Sequence, residues 1–309
     1  MFLPSLTRAS ARRIFACLFV LAVAAAIAAT PASAAKKRVS FVLNGAGWGH
    51  GIGMSQYGAH GMAQHGSNYS EIIKHYYKGV SIGQASTKTI RVLLRSGPSS
   101  VKFKGATRAG SQKLDPDATY TIKRSGGELR ILKSNGDLVA KFSNSVDVSD
   151  DGPVQLLGTA IGGLSNGRYR GTLSFATSAL GGMTVVNAVD LDDYVQGVIP
   201  AEMPSSWKKE ALKAQAIAAR SYALTTDAGG ALFDQYPDTR SQVYRGVNAE
   251  VSSTNTATQE TGGMVAKYNG KVIPTFFFST SGGRTENIEN SFYGAKAAPY
   301  LVSVEDPYD

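Results

Sequence analysis

One cysteine in 309 residues excludes a disulfide within the chain and any zinc ribbon built on paired CxxC motifs. Histidine is scarce at four residues, and charged residues make up only 18%. Acids are fewer than bases, leaving a formal net charge of +9. That imbalance points to an anionic partner without choosing among nucleic acid, lipid and cell wall. Three signatures are missing: the GxxxxGK[ST] phosphate loop, the HExxH zinc motif and the GxSxG elbow of serine hydrolases. No internal repeat of useful length occurs. A collagen-like, disordered or multi-span membrane chain is excluded by a content of 43% hydrophobic residues mixed with charge.

What is present begins with the first 34 residues. Arg8, Arg12 and Arg13 precede an apolar run from Ile14 to Ala29, and Ala32-Ser33-Ala34 follows. This is the pattern of a secretory signal peptide, and the run is shorter than the roughly 20 residues of a membrane span. The competing reading is an uncleaved anchor. Cleavage after Ala34 removes three arginines, no acid and Cys17, which lowers the net charge to +6. The exported chain then depends on its hydrophobic core, because it has no thiol.

The expected fold class is α+β, a β-rich body with a few helices. Residues 1–34 are the signal peptide and 35–83 a glycine-rich segment that completes the core. Residues 84–183 form a β-rich region or inserted arm, and 184–309 the catalytic core. Phe41 to Leu43 begin a strand-like run. Tyr69, Ile72, Ile73, Tyr76 and Tyr77 share one helical face, with Gly79 placed as a C-terminal cap. Strands are expected at Ile90–Arg95, Tyr120–Lys123, Leu129–Leu132, Leu138–Phe142 and Met183–Val186. Ser125-Gly-Gly and Asn135-Gly-Asp supply hairpin turns between several of these strands. A long Ala-rich helix runs from Trp207 to about Thr226, capped by Ser205 or Ser206. Its six alanines between 211 and 223 lie on several faces, favouring close packing on more than one side. Further strands are expected near 263–268 and 271–279.

Three segments carry chemistry. In Gly45-Ala-Gly-Trp-Gly-His-Gly-Ile-Gly-Met54, glycine takes every second position from 45 to 53. In an extended chain one face would lack side chains, so that a ligand or another backbone could approach, while Trp48 and His50 stand on the other. The GxGxxG spacing of a nucleotide site is not met. All four histidines, at 50, 60, 65 and 75, fall in this region at intervals that do not align on a helix, and no metal site is expected.

In the second segment Glu202 stands between Ala201 and Met203, with Pro200 and Pro204 outside them. Rigid apolar surroundings disfavour the charged form and suit a general acid. The alternative is a carboxylate stabilised near the N-terminus of the next helix. Lys213, Gln215, Arg220 and Ser221 interrupt that helix, and Arg220 reads equally as a structural ion-pair partner. The third segment, Phe276-Phe-Phe-Ser-Thr-Ser-Gly-Gly-Arg-Thr-Glu-Asn287, offers hydroxyls at Ser279, Thr280 and Ser281. Alone it reads as a polar turn after a buried strand.

The stretches 45–66, 194–224 and 276–287 together resemble the SpoIID/LytB family of bacterial cell-wall proteins. In many relatives the glycine segment follows the third segment, whereas here it precedes the rest. The fold must therefore bring the two together. Some relatives bind zinc through cysteine and histidine positions, but Asp234–Tyr244 has neither, so no zinc and no other cofactor is expected. The resemblance implies a lytic transglycosylase that cleaves peptidoglycan between N-acetylmuramic acid and N-acetylglucosamine with a 1,6-anhydro product. Glu202 falls on the family's catalytic acid. His50, Ser55 and Gln56 are expected to line the sugar groove, with Gln215, Arg220 and Ser281 as further candidates.

The competing function is a non-enzymatic cell-wall-binding module that enhances an N-acetylmuramoyl-L-alanine amidase. A nucleic-acid binder is disfavoured by the export signal and the dispersed positive charge. The expected partners are peptidoglycan glycan strands and other cell-wall hydrolases. The expected location is the cell envelope or beyond, without a stable membrane span after signal cleavage.

Overall fold

A computed structural model describes residues 40–309, so the signal-peptide reading lies outside the described residues. Alternating apolar positions build two antiparallel six-stranded sheets. The first is ordered Thr89–Ser96, Met183–Asp190, Thr172–Thr177, Ser145–Ser149, Arg108–Ala109, Gln112–Lys113. The second is ordered Arg168–Tyr169, Val154–Leu157, Ser100–Lys104, Thr119–Ser125, Glu128–Lys133, Leu138–Ser143. Ile90, Val92, Leu173 and Phe175 of the first sheet share one buried cluster with Val101, Phe103, Ile122 and Ile131 of the second. The rings of Phe103 and Phe175 meet across it at 6.0 Å. Burying each such side chain contributes about 1.5–3 kcal/mol relative to leaving it exposed. The fold class is thus α+β and rich in strand. All five strands expected between 90 and 186 are present, as are both hairpin turns.

Met183–Asp190 runs directly into the helix Leu191–Glu202, and Asp190 caps that helix by accepting the Asp192 N–H at 2.9 Å. Leu191, Tyr194, Val195, Val198 and Ile199 extend the same core. The β-rich region and the helix that carries Glu202 therefore share one core across the expected boundary at 183. Ala46–Asp309 form one compact unit.

The Ala-rich helix spans Lys209–Thr225 and lies between two cores, as its alanine spacing predicts. Ala211, Ala216, Ala219 and Ala223 face the β-body cluster. Ala214, Ile217 and Ala218 face a second cluster with Ile52, Met54, Ile72, Ile73, Tyr76 and Tyr77. Its cap differs from expectation. Ser205 and Ser206 sit in the preceding turn, Lys208 is the cap without a side-chain bond, and the Lys208 N–H meets His60 Nδ1 at 3.3 Å.

The helix Tyr69–Tyr76 is present, with a capping box between Asn68 and Glu71, and it ends before Gly79. Met264–Tyr268 is a strand, but the expected 271–279 run is broken into Lys271–Val272 and Phe277–Phe278. Pro274 lies between these pieces and has no N–H for a ladder. No strand forms at Phe41–Leu43, whose side chains are exposed and have no pairing partner among the described residues.

Candidate active site around Glu202

Glu202 is the last residue of its helix, and Pro200 lies within that helix. The segment 242–245 clamps onto the helix from the side. The Tyr194 hydroxyl donates to Gln242 Oε1 at 3.1 Å, and the Tyr244 hydroxyl donates to Asn187 Oδ1 at 2.8 Å. Tyr194 and Tyr244 stack at 5.1 Å, and Arg245 N–H donates to the Gly197 carbonyl at 3.0 Å. Gly197 permits this approach, since a Cβ there would lie 2.6 Å from the Tyr244 ring.

The clamp seats the Val243 N–H 2.6 Å from Glu202 Oε1, while Oε2 receives no hydrogen bond from the described residues. Burial pushes the Glu202 carboxyl up from its ordinary value, against the opposing pull of that N–H. The helix C-terminus acts in the same direction, because its exposed carbonyls carry partial negative charge. The alternative of a carboxylate at the next helix's N-terminus is therefore not what the fold builds.

Glu202 opens into a cavity of about 520 Å³. Its lining also includes Tyr222 and Thr239–Ser241, together with Trp48, Gly49, His50, Phe276–Ser279 and Phe292. Arg240 is fixed by Asp238, which accepts from Nε at 2.9 Å and Nη2 at 2.7 Å, and by the Tyr236 ring at 3.8 Å. His50 is ringed by Phe276, Phe278 and Phe292 at 5.3 to 6.0 Å between centroids. Its Nδ1 accepts the Ile52 N–H at 3.0 Å, which puts the proton of the neutral ring on Nε2. Burial lowers its pKa and favours that neutral form.

The glycine segment is not an extended strand, and of the two approaches its sequence leaves open, a ligand or another backbone, it is another backbone that comes close. Gly47, Gly49, Gly51 and Gly53 all have positive φ, and their open side faces protein. At Gly53 a Cβ would lie 2.1 Å from the Phe276 carbonyl oxygen, so only glycine fits. Trp48 bridges Thr280, Ile52 bridges Glu286, and Met54–Ser55 pairs in parallel with Phe277–Phe278. The first and third sequence segments are thus joined, which is the closure their order requires. Trp48 and His50 line the cavity, whereas Ile52 and Met54 enter the second core.

Of the sequence-predicted site residues, only Glu202 and His50 line this cavity. Ser55 is fully buried, caps the helix Gln56–Gln64 through the Gly58 N–H and donates to Asp309 Oδ1 at 3.1 Å. Gln56 and Gln215 are buried against each other, with Nε2 to Oε1 at 3.5 Å. Arg220 is fully buried, donates through Nε to Asp192 Oδ1 at 2.7 Å and through Nη1 to the Met264 carbonyl at 2.9 Å. Ser281 Oγ lies 2.9 Å from Asp306 Oδ2 and 2.7 Å from Asp309 Oδ2, with its one proton shared between these two acceptors. These five residues make their hydrogen bonds to protein groups, although Gln215 Nε2 is buried without a hydrogen-bond partner among the described residues.

Val243, Tyr222, Arg240 and Phe292 are the residues that sequence reasoning missed. A main-chain N–H has no sequence signature, and Tyr222 stood unremarked beside the polar residues of its helix. His60 stacks on Trp207 and His65 on Tyr308, while His75 contacts the Glu305 carbonyl. Among the described residues, no group of three His, Cys, Asp or Glu side chains is placed to hold a metal ion.

Residues 179–268, which include the Glu202 helix, the clamp and the Ala-rich helix, match the family model described as stage II sporulation protein, SpoIID. The chain is 36% identical over 226 residues to an uncharacterised protein of Brachyspira hyodysenteriae, covering 71% of this chain and 59% of that protein. It is 35% identical over 204 residues to the amidase enhancer of Bacillus subtilis, covering 63% of this chain and 26% of that protein. It is 37% identical over 144 residues to stage II sporulation protein D of Bacillus subtilis, covering 40% of each. The match at residues 179–268 and the relatives named amidase enhancer and stage II sporulation protein D support the SpoIID/LytB family for this chain. It spans between about a quarter and three-fifths of the length of these relatives.

Proposed function

We propose that the protein is a lytic transglycosylase of peptidoglycan, acting at the cell envelope after export. The observation that carries this reading is the state of Glu202: a carboxyl raised by burial, one oxygen fixed by Val243 N–H, facing a cavity wide enough for sugar rings. Glu202 donates its proton to the glycosidic oxygen as the bond from muramoyl C1 breaks. The carboxylate so formed then takes the proton of the C6 hydroxyl, whose oxygen closes on C1 to give the 1,6-anhydro ring. One carboxylate serves both steps.

Two-carboxylate hydrolysis needs a second acid within about 5–9.5 Å. Among the described residues Glu202 is the only carboxylate that lines the cavity. Asp192 lies ten residues back along the helix, roughly 15 Å away at the usual rise, and is paired with Arg220. Among the described residues no helix is long and apolar enough to cross a membrane.

A second reading rests on the relative named amidase enhancer. In it the chain binds cell wall without cleaving it and acts on a partner amidase. The test is to incubate the protein with peptide-free and peptide-bearing glycan strands and analyse the products by mass spectrometry. Anhydro-ended products that vanish in Glu202→Gln are expected. Reducing ends overturn the transglycosylase in favour of hydrolysis, and binding without products favours the enhancer.

A further inference from the structure

We infer that Trp48 is the platform on which a pyranose ring of the glycan stacks beside Glu202. The inference rests on the saccharide reading above and names the residue that would hold the sugar. The chain has two tryptophans, and they are used in opposite ways. Trp207 is packed, stacked on His60 at 4.6 Å and edge-on to Tyr57 at 4.8 Å. Trp48 is 78% exposed although it lines the cavity that holds Glu202.

Its exposure is not that of a loose loop. The Trp48 N–H donates to the Thr280 carbonyl at 2.7 Å, and its own carbonyl accepts the Thr280 N–H at 3.2 Å. On either side, Gly47 lies against the 280–281 backbone and Gly49 against Phe278, both too close for a Cβ. The fold therefore anchors the backbone firmly and leaves the indole in water. A large apolar side chain held in that way beside a cavity marks a contact surface.

The occupant follows from the chemistry of the walls. An N-acetylhexosamine in a β-1,4 chain has equatorial substituents, so both ring faces present C–H groups that lie flat on an aromatic surface. Its hydroxyl and acetamido groups point outward, where Thr239, Ser241 and Ser279 line the same cavity. A neutral or weakly acidic sugar ring fits this combination of indole and hydroxyl-bearing rim.

The experiment uses the full chain carrying Glu202→Gln to prevent turnover and Trp207→Phe to leave Trp48 as the sole tryptophan, excited selectively over the tyrosines. The probes are β-1,4-linked N-acetylglucosamine tetrasaccharide and peptide-free peptidoglycan glycan strands. A saturable blue shift of the emission is expected, with affinity about tenfold weaker in Trp48→Ala, as for an aromatic anchor at a binding hot spot. Trp48→Phe should retain part of the affinity, and both variants should melt at the parent temperature because the indole is exposed. An unchanged spectrum at concentrations where calorimetry shows binding overturns the inference. So does affinity within twofold of the parent in Trp48→Ala or, if that variant fails to fold, full affinity in Trp48→Phe. Absence of any binding overturns it as well. Binding that shifts Trp48 without cleavage by the parent chain upholds the platform while removing the transglycosylase. Cleavage with a silent Trp48 does the reverse.

Discussion

The two ends of the Leu191–Glu202 helix carry acids that the fold treats in opposite ways. At the start, Asp190 caps the helix and Asp192 meets Arg220, at the end where the helix dipole favours negative charge. Arg220 is wholly buried, and its remaining N–H groups go to main-chain carbonyls of Met264, Ala216 and Thr258. At the other end Glu202 has, among the described residues, a single main-chain donor and no basic partner within ion-pair distance, and it sits at the unfavourable pole of the same dipole. One end is compensated and holds the molecule together. The other has no such compensation, and a carboxyl that holds its proton more tightly than an ordinary glutamate suits proton transfer to a leaving oxygen.

The sharpest way to break this comparison is to remove each acid's chemistry in turn. Glu202→Gln should lower the yield of anhydro-ended products about 10³-fold, a general acid's usual share, while circular dichroism stays unchanged. Arg220→Met should instead destabilise the fold by about 3 kcal/mol in urea melts, because Asp192 and three carbonyls lose their donor. Turnover per folded molecule should hold. Ser55→Ala, which removes a cap and leaves the Gly58 N–H unpaired, should cost about 1 kcal/mol and leave the rate within twofold.

The last prediction concerns sign rather than size. The folded pKa of Glu202 lies above the unfolded value of 4.5, so the native state holds this proton after the unfolded chain has released it. Stability then falls as pH rises from about 4.5 through the folded pKa. Glu202→Gln should therefore melt higher than the parent at neutral pH, with the gap closing below about pH 4.5. Initial rates should fall over the same rise in pH, as the acid form is lost.

Much of the scaffold was legible because periodicity reports which face a segment buries. The helix at Tyr69–Tyr76 and the Ala-rich helix show their packing sides in the spacing of their residues, and the latter meets a core on two of them. Glu202 stood out because two prolines and apolar neighbours already restrict its surroundings. The roles of Ser55, Gln56 and Gln215 were not legible, and for Arg220 the sequence offered the structural ion pair only as one of two readings. A polar residue interrupting an apolar pattern reads alike whether it faces a ligand or a buried partner, and the partners here are distant in sequence. Asp309 meets Ser55, and Asp192 meets Arg220. The glycine repeat misled for a related reason. Alternation implies two faces only in an extended chain, and these glycines take the left-handed region.

By itself, the sequence determined the antiparallel β-body, the helices and the identity of the one acid set in rigid apolar surroundings. These follow from local spacing and side-chain chemistry. Only the tertiary structure decided that residues 47–54 would lie along 276–286, and that Val243 N–H would reach Glu202. Nor could the sequence say that Trp48 would stand exposed while Trp207 packed. Those outcomes depend on which backbones meet, and main-chain groups are the same at every position until the fold brings them together.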